Sequence, residues 1–143
     1  KIKKLVVEKD EKENGMRKIL NFGHTFAHAY EASLGFSKKL NHGEAVILGI
    51  NSALSFSYKN KFLNFKEYNL IRKHIYSSKL PFNLKKYFSL KDLNKILNFM
   101  MTDKKNNSNK INLVLLKKIG SPIMSKRYKK TFLSLFLKKE LIN

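Results

Sequence analysis

Apolar residues recur at helical spacing along most of this chain, and glycine, proline and asparagine fall in the gaps between the runs. A helical pattern starts near Asp10, Glu11 and Glu13, whose charge suits the positive end of a helix dipole, and continues through Met16, Ile19 and Leu20. Gly15 weakens that stretch, and Gly23 breaks it just before His24. A second helix is predicted from about Thr25 to Leu34, ending at Gly35, with a loop from Phe36 to Asn41. Gly43 leads into a long helix carrying Ala45, Val46, Leu48, Ile50, Ala53, Leu54 and Phe56. That segment is apolar nearly all round, which predicts burial on most of its faces. Lys66 to Ser78 and Leu90 to Met101 read as amphipathic helices separated by Leu80-Pro81, and a last helix runs from Lys129 to Leu141.

Two stretches read differently. Residues 3–8 are short and partly β-branched, a pattern that fits a strand or the start of a helix. After a polar turn at Asn106 to Asn109, Ile111 to Leu116 alternates weakly, and Gly120-Ser121-Pro122 turns it toward a short partner around Ile123 and Met124. No internal repeat is visible. The expected fold is mainly α: a multi-helix domain, residues 1–143, with one small β-hairpin near residues 111–125.

A chain of 143 residues fits one domain and can bury a real core. It opens with Lys1 rather than Met, and its first residues already read as structured, so truncation at the N-terminus is expected. No run of 18 apolar residues and no secretory leader are present, so no membrane partner is expected. With no cysteine, disulfides and thiolate ligands are excluded, and any metal must be held by His, Asp or Glu. These features fit a soluble cytoplasmic protein.

The net charge of +20 is unevenly spread. Residues 1–50 hold nine Lys or Arg against six Asp or Glu, while the rest of the chain holds 21 against four. Such an excess raises the local concentration of anions, nucleic acid among them. Yet the charges are scattered and mixed with asparagine, as in Lys59-Asn60-Lys61 and Lys104-Lys105-Asn106-Asn107, rather than gathered into a stripe. That reads as solvated surface, and no nucleic-acid partner is expected. A basic nucleic-acid-binding module stays as the alternative from another class; steeply salt-dependent DNA binding, indifferent to zinc, would mark it.

Three of the four histidines, His24, His28 and His42, fall within 19 residues. His24 and His28 are four apart, so a single helix places them on one face. His42 begins the next helix, from which the chain can fold back toward that pair. Neutral imidazoles converging from two elements suit Zn²⁺, though paired helix histidines are also common as ordinary polar side chains. The zinc-protease pattern H-E-x-x-H is not met, because Thr25 follows His24. Arg17 and Asn21 lie four apart, and His24 and His28 continue the row at similar spacing. An arginine there can grip a carboxylate or phosphate with two parallel bonds, or form a surface ion pair with Glu13.

The run Arg17-Lys18-Ile19-Leu20-Asn21-Phe22-Gly23-His24-Thr25-Phe26-Ala27-His28-Ala29-Tyr30-Glu31 resembles the signature of 3-dehydroquinate synthases, members of the sugar-phosphate cyclase superfamily. Leu40-Asn41-His42-Gly43-Glu44-Ala45-Val46 continues the likeness. So do Lys3 through Arg17 upstream and Leu80-Pro81, Asp103-Lys104-Lys105 and the Ile111–Gly120 segment downstream. The resemblance spans essentially the whole chain and corresponds to the C-terminal portion of the family's proteins.

The resemblance implies a role for each matched residue. His24 and His42 correspond to two ligands of a catalytic Zn²⁺ (or Co²⁺), whose third ligand is a glutamate of the preceding part of the protein; Glu44 is not that ligand. His28, Asn21 and one of Lys104 and Lys105 correspond to the group facing the substrate phosphate. Lys3 and Arg17 correspond to the pair holding the substrate carboxylate. The family converts 3-deoxy-D-arabino-heptulosonate 7-phosphate to 3-dehydroquinate and phosphate in the shikimate pathway. The route is a cycle of alcohol oxidation by NAD⁺, phosphate elimination, reduction, ring opening and aldol closure. The resemblance places the NAD site in an upstream domain, so the chain taken alone is expected to bind no NAD and to be inactive, and the full-length protein to be a homodimer. A sibling sugar-phosphate cyclase is the alternative within the superfamily, against which the paired cations Lys3 and Arg17 argue.

Overall fold

In the computed structural model, residues 1–10, 15–102 and 110–142 are described. Among the described residues there are six α-helices: α1 (Ile2–Lys9), α2 (His24–Ser33), α3 (His42–Lys59), α4 (Phe65–Ser77), α5 (Leu93–Thr102) and α6 (Lys130–Ile142). Two antiparallel strands, β1 (Lys110–Lys118) and β2 (Ser121–Lys129), stand between α5 and α6. The mainly α fold with one hairpin is therefore as expected. Residues 3–8 take the helical of their two open readings.

The segment before α2 departs from expectation. Met16–Asn21 is a 3-10 helix, and Gly23 has a left-handed φ of 81° before α2 begins. Arg17 and Asn21 therefore do not continue the α-helical row of His24 and His28. The expected helix start at Glu11 and Glu13 lies outside the described residues; the 3-10 segment is tied back to the end of α1 by Asp10, whose Oδ2 accepts from the backbone N–H of Gly15 at 2.7 Å and of Arg17 at 2.9 Å.

α3 is the central post. Every residue from Asn51 to Ser57 is buried, in keeping with a helix apolar on most faces. The polar members of that run have partners inside. Ser52 Oγ lies 2.7 Å from the Tyr30 hydroxyl, and Ser57 Oγ donates to the Ala53 carbonyl at 2.7 Å while accepting from the Leu116 N–H at 3.1 Å. Phe26 of α2, Phe56 of α3 and Phe136 of α6 form one aromatic cluster, with centroids 6.1 Å (Phe26–Phe136) and 4.9 Å (Phe56–Phe136) apart.

β1 presents Ile111, Leu113 and Leu115 inward, the alternation of a half-buried strand. Its partner is nine residues long, not a short piece around Ile123 and Met124. The extra length is basic and polar (Lys126, Arg127, Lys129), so its sequence shows no apolar alternation; pairing with β1 and the packing of Tyr128 on Phe56 at 4.8 Å hold it. Ile119 and Gly120 form the turn, with Gly120 at φ 78°. Glu67 of α4 accepts the Ile119 N–H at 2.9 Å and ties the hairpin tip to the helices.

Candidate metal and substrate site

Asn41 caps α3: its Oδ1 accepts the Glu44 N–H at 3.0 Å, and Glu44 Oε2 accepts the Asn41 N–H at 3.0 Å. This reciprocal pair satisfies two N-terminal donors and fixes the direction in which α3 sets out. It also gives Glu44 a structural task. His42, the first residue of α3, is thereby held at the end of a rigid helix.

α2 brings the other two histidines to the same place. Its start is pressed against the middle of α3, where Gly23 and Gly49 meet backbone to backbone. The His24 ring lies 5.7 Å from that of His28 and 6.4 Å from that of His42, centroid to centroid. The expected trio is one cluster. His24 is half-buried, whereas His28 and His42 are exposed.

The ring nitrogens are oriented. His42 Nδ1 lies 3.1 Å from both carboxylate oxygens of Glu31, and His24 Nδ1 lies 3.4 Å from the Phe22 carbonyl oxygen. A carboxylate and a carbonyl oxygen accept, so in each ring Nδ1 is the nitrogen that donates. Two imidazoles brought together from two helices, each with Nδ1 turned to an acceptor, fit a divalent cation such as Zn²⁺ or Co²⁺. Among the described residues no third His, Asp or Glu completes such a set.

The remaining expected residues are placed as follows. Arg17 and Asn21 lie on the half-buried 3-10 segment immediately before α2. Lys3 is exposed on α1, which packs against that same segment. Lys104, Lys105 and the proposed ion-pair partner Glu13 lie outside the described residues. Glu31 is the functional candidate that sequence reasoning passed over. It closes the first motif, but only the turn between α2 and α3 reveals that it faces His42. A cavity of about 390 Å³ lined by residues including Asn51, Ser52, Arg72 and Glu140 sits along the far half of α3 and shares no residue with the histidine cluster.

The fold is shared with part of a solved enzyme. A crystal structure of 2-deoxy-scyllo-inosose synthase complexed with carbaglucose-6-phosphate, NAD⁺ and Co²⁺ matches 96% of this chain with a TM-score of 0.74, over 38% of its own length. At 21% identity that likeness is one of fold alone. The family is narrower: the profile of the 3-dehydroquinate synthase C-terminal family matches residues 1–106, and the chain belongs to that family. It is 61% identical over 140 residues to the 3-dehydroquinate synthase of Pelagibacter ubique and 36% identical over 141 residues to that of Bradyrhizobium diazoefficiens. The matches take in 98% and 95% of this chain but only 38% and 37% of the two relatives, so the chain spans less than two-fifths of their length. No helix among the described residues is long and apolar enough to cross a membrane.

Proposed function

We propose that residues 1–143 are the C-terminal, metal- and substrate-binding domain of a 3-dehydroquinate synthase. The full protein would convert 3-deoxy-D-arabino-heptulosonate 7-phosphate to 3-dehydroquinate and phosphate in the cytoplasm, as a homodimer. The carrying observation is the convergence of His24 and His42 from two helices, each with Nδ1 turned to an acceptor, inside the motifs of the family. His24 and His42 would hold the divalent metal, with the third ligand supplied from outside the described residues. The metal would act as a Lewis acid on substrate oxygens, and NAD, bound by the preceding domain, would accept and return a hydride.

The work of this chain is holding and orienting. Arg17, with Lys3, suits the substrate carboxylate: a planar guanidinium grips both oxygens and keeps them fixed through several steps. His28, one turn beyond His24 on α2, together with Asn21 and one of Lys104 and Lys105, suits the phosphate. Anchoring both ends of one substrate fixes the reacting carbons over His24 and His42, which converts successive bimolecular demands into one geometry.

Metal titration of the full-length protein tests this reading. His24→Ala and His42→Ala are each expected to remove most metal affinity and phosphate release together. Unchanged metal affinity in both variants would defeat it.

A further inference from the structure

We propose that Glu31 is the positioning residue for His42, holding the imidazole by Nδ1 so that Nε2 is presented to the metal. The inference rests on reading His42 as a ligand. Its observation is separate, namely the placing of both Glu31 carboxylate oxygens 3.1 Å from Nδ1.

The contact is unlike an ordinary surface ion pair, in which two mobile side chains meet in water and gain little. The Glu31 side chain is only 12% exposed, so the carboxylate is set within the junction of α2 and α3, whereas the His42 side chain is 65% exposed. The backbone of His42 is fixed by the Asn41–Glu44 capping box, and Leu40 just before it is buried. Backbone restraint does not settle the rotation of an imidazole that stands mostly in solvent. Glu31 does, because its carboxylate accepts from Nδ1–H and from nothing at Nε2. Glu44, the other carboxylate close in sequence, is occupied at the cap and leaves this task to Glu31.

Two consequences follow for the ligand. The Nδ1–H tautomer is selected before any metal arrives, so no rearrangement accompanies binding. The carboxylate behind the ring also raises the donor strength of Nε2. His24, backed by a neutral carbonyl, receives the first benefit and less of the second.

The test compares wild type, Glu31→Gln, Glu31→Ala and His42→Ala in the full-length protein. Zn²⁺ affinity is measured by chelator competition, coordination by the Co²⁺ absorption spectrum, and the His42 tautomer by NMR of the metal-free protein. Glu31→Ala is expected to lose roughly ten- to a hundredfold in affinity, with an unchanged number of ligands and loss of the Nδ1–H tautomer. Glu31→Gln, whose amide oxygen still accepts from Nδ1, is expected to keep the tautomer and recover most of the affinity, and it serves where the alanine variant folds poorly. Wild-type affinity in Glu31→Ala alongside a large loss in His42→Ala would overturn the positioning role and leave the metal reading standing. Wild-type affinity in His42→Ala would remove the metal reading itself. A loss in Glu31→Ala equal to that in His42→Ala, with one ligand fewer in the Co²⁺ spectrum, would make Glu31 a ligand and likewise overturn positioning.

Discussion

Gly23 and Gly49, 26 positions apart, meet so closely that neither has room for a methyl group. A Cβ on Gly23 would lie 2.5 Å from the Ile50 nitrogen, and one on Gly49 would overlap the Gly23 carbonyl oxygen and sit 2.8 Å from the Ala27 nitrogen. The obstructing atoms are backbone, which cannot swing aside. This contact sets the distance between α2 and α3, and with it the separation of His24 from His42.

Gly49→Ala should therefore destabilise the fold. In a free helix the change would gain about 1 kcal/mol of propensity. Here forced separation of α2 from α3 outweighs it, for a net loss of about 1–3 kcal/mol. Urea melts measure the loss, and metal titration of the folded fraction should show weaker binding. A stabilised Gly49→Ala protein would contradict the close packing.

Asn41→Ala removes the cap that directs α3. The expected cost is about 1 kcal/mol. Hydrogen exchange should accelerate at Glu44, whose N–H loses its acceptor, while the core around Phe56 stays protected. Equal protection at Glu44 in both proteins would show that the cap does not matter.

Tyr30 yields a pH prediction. Burial pushes its hydroxyl well above the ordinary tyrosine value of 10.0; the Ser52 hydrogen bond opposes that shift and the charge of Glu140 adds to it. The folded state then keeps a proton that the unfolded state releases above about pH 10, so stability is level below that pH and falls as pH rises beyond it. In an ultraviolet titration of the six tyrosines, Tyr30 should ionise only as the protein unfolds. Tyr30→Phe should be less stable at neutral pH by about 1 kcal/mol for the lost bond to Ser52 and should show a shallower alkaline decline.

Arg17→Ala separates substrate holding from metal holding. In the full-length enzyme kcat/KM should fall by roughly ten- to a hundredfold, the loss of one charge-assisted contact of about 1.5–3 kcal/mol. Metal stoichiometry should stay near wild type. Glu13→Ala, assayed alongside, should leave turnover unchanged; if Arg17→Ala does the same, Arg17 is a surface residue and the carboxylate assignment falls.

Much was legible from spacing alone. The apolar period located α2 to within a residue at each end, and α3 through its buried centre, because an amphipathic or wholly buried helix must repeat its apolar positions every turn. The motifs around His24 and His42 pointed to the family for a different reason, since its distinctive residues cluster in short runs there. Less legible was β2, whose basic outer residues carry no apolar alternation and become a strand only through pairing with β1.

What the sequence by itself determined was the family and most of the helical segments, α2 to α6. The row Arg17, Asn21, His24, His28 does not form: Met16–Asn21 is a 3-10 helix tied to Asp10, and Gly23 adopts a left-handed φ where it meets Gly49. The facing of Glu31 and His42 was likewise decided by how the chain turns between two helices. Helical periodicity is a property of neighbours, read within a few residues. The approach of α2 to α3 depends on two glycines far apart in the chain, and their contact is what brings the His24 and His42 rings together.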